Sequence, residues 1–335
     1  MILITGGTGY IGSHACVALV EAGFDVLLLD NLANSEASVL DRLETICGKR
    51  PRFVQGDIRD GALLSRVFGE FRIDAVMHFA GLKSVGESVA SPLDYYDNNV
   101  VGTHVLLDRM RASGVGTMVF SSSATVYGPS EPLPLRESSG RRASSPYGRT
   151  KLMLEDIIED VYAADPQTSF ARLRYFNPVG AHESGLIGEN PRGVPNNLMP
   201  YVCQVAVRER ERLHVFGGDY PTVDGTGVRD FIHVMDLVEG HVAALEHCLA
   251  NRGMLTVNLG TGRGTSVLQL IRAFELTNGC SVPFEIVARR DGDVAESWAD
   301  TSLAKDLLGW SAARDLDDMC KDSWRWQLKS AEGRA

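Results

Sequence analysis

Over its first half the chain alternates short, mostly apolar runs with longer stretches of helical periodicity. The runs fall at residues 2–5, 26–30, 52–55, 75–80, 118–122 and 170–175, each bounded by Gly, Asp or Ser. They are too short for stable helices. Near-continuous apolar character is what a strand buried on both faces requires. The stretches between them, at 12–22, 62–68, 93–111 and 146–163, carry amphipathic helical patterns. Strand–helix–strand alternation predicts an α/β chain built on a doubly wound parallel sheet. After Tyr175 the rhythm breaks. Residues 178–200 hold several Pro, Gly and Asn, and 217–228 are rich in Gly, Asp and Thr, so both read as long ordered loops. The pattern predicts helices at 201–212 and 236–250, and a buried strand at 256–259 that returns to the first sheet.

The length of 335 residues allows two domains, or one α/β body with a smaller lobe. With 44% hydrophobic and 23% charged residues, wholesale disorder is excluded. A net charge of -10 argues against nucleic acid or an anionic membrane as partner. An anionic small substrate would need local arginines. Six scattered cysteines without Cys-x-x-Cys spacing point to reduced thiols, and no apolar run is long enough to span a bilayer. Both features predict a cytoplasmic protein. His182, His214, His233 and His241 lack ligand spacing, so no metal is expected.

The candidate chemistry begins at Gly6-Gly7-Thr8-Gly9-Tyr10-Ile11-Gly12. The segment fits G-x-G-x-x-G, follows a predicted strand and opens a predicted helix. Gly6, Gly9 and Gly12 would let the backbone turn sharply against a pyrophosphate, and the helix N-terminus would supply unpaired N–H groups. Asp30 ends the second strand, near the offset expected for a ribose-binding acid. A carboxylate there accepts from the 2′-hydroxyl and repels a 2′-phosphate, which favours NAD over NADP. Residues 1–177 are therefore expected to form a Rossmann-type NAD-binding domain to which 228–262 returns, and 178–335 mainly a smaller α/β substrate lobe. Asp57, after the third strand, is a candidate for the adenine edge or a helix cap.

Ser145 and Pro146 suit the start of a helix on which Tyr147 and Lys151 stand at i and i+4. A free phenol, with a pKa near 10, is a poor base at neutral pH. A neighbouring cation lowers that value by about 1–3 units. Lys151 and an oxidised nicotinamide are the two expected cations, which would make Tyr147 a usable acid and base. Three serines, Ser121 to Ser123, follow the fifth strand, where a hydroxyl would reach a reacting oxygen.

Read together, TGGTGYIGSH (5–14), DNL (30–32), HFAGLKSVGES (78–88), YYDNNVVGT (95–103), FSSSATVYG (120–128), SPYGRTK (145–151), RYFNPVGAH (174–182), PNNLMPYV (195–202) and DGTGVRDFIHVMDL (224–237) resemble the extended short-chain dehydrogenase/reductase family, most closely its UDP-glucose 4-epimerases. The related 4,6-dehydratases carry Asp-Glu where Ala124-Thr125 stand. The resemblance implies that Tyr10, Ile11, Asp30, Asn31, Asp57, Ile58, Phe79, Ala80, Gly81, Lys83, Asn98, Lys151 and Phe176 hold NAD. It implies Tyr147 as acid and base, with Ser123 beside the reacting hydroxyl. Asn177, Asn197, Leu198, Arg229 and Arg290 would grip a UDP-sugar. The implied reaction inverts carbon 4 through a transient 4-keto sugar. Relatives restricted to glucose and galactose carry tyrosine directly before the tryptophan of the Trp-Ala-Asp segment. Here that position is Ser297, which implies room for N-acetylated UDP-sugars. The resemblance further implies a homodimer in which 93–111 and 146–163 build a four-helix bundle with a second copy. Epimerases of UDP-hexuronates or UDP-pentoses, a nucleotide-sugar dehydrogenase and a non-catalytic NAD-binding protein are the competing expectations.

Overall fold

A computed structural model describes residues 1–332 apart from 192, 194 and 291. Its first half runs β1 (Ile2–Thr5), α1 (Tyr10–Glu21), β2 (Val26–Asp30), α2 (Val39–Cys47), β3 (Arg52–Gln55), α3 (Gly61–Glu70), β4 (Ala75–His78), α4 (Val85–Ala90) and α5 (Pro92–Tyr95). It continues through α6 (Gly102–Ala112), β5 (Thr117–Ser121), α7 (Pro146–Ala164) and β6 (Ser169–Tyr175). The second half runs β7 (Asn177–Val179), α8 (Leu198–Ala206), β8 (Leu213–Phe216), β9 (Val228–Arg229), β10 (Phe231–His233), α9 (Val234–Ala250) and β11 (Gly253–Leu259). It ends with β12 (Thr265–Ser266), α10 (Val267–Asn278), β13 (Phe284–Val287), β14 (Glu296–Ser297), α11 (Ser302–Leu308) and α12 (Leu316–Glu332).

Seven strands form one parallel sheet in the order β11-β6-β5-β4-β1-β2-β3. The apolar runs are continuous because both faces are covered. Ile2 and Ile4 pack into a core with Cys16 and Leu19 of α1 and Leu237 and Val238 of α9. Leu3 points the other way, into a core with Leu64 of α3, Leu106 of α6 and Leu154 of α7. Val26 and Leu28 share the first core, and Leu27 and Leu29 the second. Each such side chain contributes about 1.5–3 kcal/mol by leaving water. The chain order reverses between β1 and β4, which opens a crevice at their carboxyl ends.

Two expected elements differ in form. The helix expected at 93–111 contains a π-helical turn over Tyr96–Val101 between α5 and α6. That wide turn carries Asn98 and Asn99, and the Asn99 side chain accepts from the Leu82 N–H at 2.8 Å and donates to the Leu82 carbonyl at 3.0 Å. The helix expected at 201–212 is α8, displaced toward the amino end. Backbone with positive φ at Arg208 (63°) follows its end. The smaller lobe packs α8, β8, α10 and α12 around Val202, Val215, Phe274 and Met319. Buried Asp230 joins the lobe to the end of β11, accepting N–H groups from Thr261 (2.8 Å), Gly262 (3.0 Å) and Ala299 (3.2 Å).

Candidate active site

The turn after β1 leaves no room for side chains. Gly6 has φ +68°, and a Cβ there would lie 2.8 Å from the Ala80 nitrogen; at Gly12 it would lie 2.1 Å from the Gly6 carbonyl oxygen. Helix α1 starts on Gly9 with no side-chain cap, so its first N–H groups remain available to an anion. The turn borders a cavity of about 450 Å³. Gly6, Gly9, Tyr10, Ile11, Gly12, Asp30, Asn31, Ile58, Phe79, Ala80, Gly81, Lys83 and Asn98 line it, together with Tyr147, Lys151 and Asn197. A dinucleotide fits this arrangement: a phosphate cradle that a Cβ would fill, with a carboxylate at the next strand end. The Asp30 carboxylate is buried and accepts from the Thr8 N–H (3.1 Å), the Leu32 N–H (2.8 Å) and the Ser35 hydroxyl (3.0 Å). Asp57 stands behind Asn31, whose amide donates to it at 2.9 Å. The Arg59 guanidinium, 2.8 Å away, holds Asp57 well below the usual carboxylate range.

Helix α7 begins where expected. The Ser145 hydroxyl accepts from the Gly148 N–H at 3.1 Å, and Pro146 occupies the first turn. Tyr147 and Lys151 are both buried. Lys151 Nζ donates to the Ser121 carbonyl at 2.7 Å and sits 4.9 Å above the Phe120 ring. Burial lowers the Lys151 ammonium to about 8, opposed by the negative charge of Glu155. Burial pushes the Tyr147 phenol up to about 12, and a hydrogen bond with Ser123 acts in the opposite direction. The expected lowering of the phenol by Lys151 is therefore not produced by the chain's own charges. The ammonium is committed to a backbone carbonyl, and desolvation of the phenolate outweighs the hydrogen bond with Ser123.

The fold also sorts the three serines. Ser121 Oγ lies 3.0 Å from His241 Nε2, and Ser122 Oγ donates to Glu155 at 2.6 Å. Ser123 is left beside Tyr147, its hydroxyl accepting from the Thr125 N–H at 3.2 Å and the Thr125 hydroxyl at 3.0 Å.

The residues expected to hold a sugar nucleotide fall into two places. Asn197 lies on the main cavity, and its amide donates to Glu189 at 2.6 Å. Leu198 opens α8 against the lobe core, and Asn177 donates its N–H to the Asp230 carbonyl at 2.9 Å. Phe176, expected to hold NAD, is instead buried with Val126, Tyr127, Leu135 and Ala299 and does not line the cavity. Arg229, Arg290 and Ser297 form a separate group in the lobe. Arg229 is largely buried, donates to the Val228 carbonyl at 2.8 Å and lies 3.9 Å from Asp293; burial lowers its pKa. The Arg290 guanidinium stacks 3.8 Å from the Phe216 ring centre. Ser297 pairs with Arg229 in the β14–β9 ladder.

The sequence reading missed Tyr175, Glu189 and Asn190 on the cavity wall and the Phe216 face under Arg290. Tyr175 ends a buried strand and reads as core. Glu189 carries the clearest signal, an acid in a loop rich in Gly, Asn and Pro.

Residues 2–260 match the model of the "NAD dependent epimerase/dehydratase family". The chain belongs to this family. A UDP-glucose 4-epimerase of Bacillus subtilis is 56% identical over 99% of this chain and 98% of its own. A UDP-glucose 4-epimerase from Stenotrophomonas maltophila, solved with NAD and formylated UDP-arabinopyranose, superposes with a TM-score of 0.97. It is 55% identical, with 99% of both chains covered. The enzyme of Bifidobacterium longum, solved with NAD+ and UDP, gives 0.96 at 51% identity, again over 99% of both chains. Within the epimerase/dehydratase family the cofactor is NAD, and the cavity at the β1–β4 reversal fits it.

Proposed function

We propose that the chain inverts the C4 hydroxyl of a UDP-hexose, interconverting UDP-glucose and UDP-galactose with a tightly held NAD. The observation that carries this reading is the buried Tyr147–Lys151 pair, with Ser123 beside the phenol, on the wall of the dinucleotide cavity. Full-length similarity to UDP-glucose 4-epimerases supports it. NAD, when bound, supplies the hydride acceptor and donor, and its positive ring favours phenolate at Tyr147. The Tyr147 oxygen takes the proton of the sugar 4-hydroxyl and later returns one to the same sugar oxygen, once the 4-keto sugar has turned its opposite face inward. Ser123 donates to the same oxygen, and Lys151 fixes the strand end that carries Ser123. Asn177, Asn197, Leu198, Arg229 and Arg290 hold the UDP, because a diphosphate calls for charge-assisted donors. The hexose must be held loosely, since the 4-keto sugar has to turn over between the two transfers. Ala124 and Thr125 offer no carboxyl acid for water elimination, which favours epimerisation over dehydration.

Residues 1–177, with 228–262, are the NAD-binding domain in this reading, and 178–335 mainly the substrate lobe. The presence of β11 in the large sheet supports the return of the later segment. A homodimer is supported by Val85, Val89, Leu93, Val101 and Met153, which stand 45–79% exposed along α4, α5, the π-helical turn before α6, and α7. None of the described helices is long and apolar enough to cross a membrane, in keeping with a cytoplasmic enzyme.

Purified protein incubated with UDP-galactose should yield UDP-glucose with no sustained rise in NADH absorbance. A steady rise would instead identify a dehydrogenase. Ser297 leaves space where a tyrosine would stand, so UDP-GlcNAc should also turn over; a rate equal to background ends that extension. The UDP-pentose derivative held by the Stenotrophomonas relative favours a second reading, tested by UDP-arabinopyranose in the same assay.

A further inference from the structure

The short segment 187–191 contributes Glu189, Asn190 and Pro191 to the wall of the cofactor cavity. Its anchor is helix α12. A Cβ at Gly188 would lie 2.4 Å from the Trp326 ring, and the Trp326 indole N–H donates to the Glu189 carbonyl at 3.1 Å. From that anchor the Glu189 side chain turns inward and is 10% exposed. Its Oε1 accepts two hydrogen bonds, each 2.6 Å long: one from Lys83 Nζ and one from the Asn197 amide. Lys83 belongs to the loop after β4, and its ammonium lies 5.9 Å from the Tyr10 ring that opens α1. Asn197 immediately precedes α8 of the smaller lobe. One carboxylate thus joins the glycine-turn side of the cleft to the lobe and to the C-terminal helix.

We propose that Glu189 is a positioning residue that latches the cleft over NAD and couples cofactor retention to occupancy of the UDP site. The proposal rests on the reading of the cavity as an NAD site and of Asn197 as a UDP contact. A redox-neutral epimerase gains from never releasing its cofactor, and the ion pair ties together two parts of the cavity wall. UDP that holds Asn197 also holds the Glu189 carboxylate in place, so the two ligands stabilise each other reciprocally. Lys83 is half-exposed, so added salt weakens the tie.

The test is the release rate of isotopically labelled NAD from the loaded protein, chased with excess unlabelled NAD. In the parent, saturating UDP should slow release and salt should speed it. Glu189→Gln keeps the shape and removes the charge. It should release NAD about tenfold faster or more, with little response to UDP or salt. Trp326→Phe, which removes the indole donor and some of the ring packed on Gly188, should shift release in the same direction by a smaller factor. If both variants release NAD at the parent's rate, the latch is overturned. If Glu189→Gln keeps the parent's full response to UDP, the coupling is overturned. A parent that carries no NAD would refute the cavity reading itself, a different outcome from either.

Discussion

At Tyr147 two opposing effects are unequal. Burial disfavours phenolate, and the hydrogen bond to Ser123 recovers only part of that cost, so the chain by itself keeps the phenol protonated. In the proposed mechanism the positive charge that makes it a base arrives with the oxidised cofactor, which would tie the acid/base step to occupancy. Replacing Tyr147 by Phe should leave NAD bound and depress turnover by about 10²–10⁴-fold. Product analysis by NMR, alongside absorbance of the extracted cofactor, checks both halves. Activity close to that of the parent would remove Tyr147 from the mechanism. The pairing of Tyr147 with Lys151 was legible from their spacing in sequence. That the ammonium binds the Ser121 carbonyl, 30 residues away, was not, because only the packing of α7 on β5 brings them together.

The glycine turn and α1 act as one element. Gly12 sits so close to the Gly6 carbonyl that any side chain forces the turn and helix apart. Gly12→Ala should cost about 1–3 kcal/mol through overpacking and yield protein without bound cofactor. Thermal melting and the absorbance of purified samples measure the two effects. Retention of a full complement of NAD would show that the turn is not the phosphate cradle. The inner strands β1, β2 and β4 were readable because they are covered on both faces, which imposes a nearly unbroken apolar run, whereas the edge strand β3 leaves Arg52 and Gln55 exposed. The short strands β7 to β10 and β12 to β14 were not readable. With two to four residues each, they owe their pairing to distant partners, as in the contact of Ser297 with Arg229.

For the whole molecule, assembly and pH response are the testable properties. The apolar residues exposed on α4, α5, the π-helical turn and α7 would be covered by a second copy, so Leu93→Glu should convert a dimer to monomers in sedimentation experiments. A parent that sediments as a monomer would end the dimer proposal. Buried imidazoles set the acid limit. Burial lowers His14 and His78 to about 3 and His241 to about 4. They stay neutral in the folded chain, while the unfolded chain protonates them below about 6.5. Their contribution is complete above that pH and lost as pH falls through about 4 for His241 and about 3 for His14 and His78. Well below 6.5 the slope is about 1.4 kcal/mol per pH unit for each imidazole. Denaturant unfolding at pH 7, 6 and 5 should show this decline; a flat profile would contradict it.

Sequence alone determined the α/β class, the glycine turn with Asp30 and the Tyr147–Lys151 spacing. These are properties of local periodicity and of residues within one or two elements, so short-range pattern encodes them. The tertiary structure decided which serine faces the phenol, that burial opposes its ionisation, and that Glu189 meets Lys83 and Asn197. Those depend on desolvation and on contacts between segments 8 to 120 residues apart, which come into being only when the sheet and the lobe close on one another.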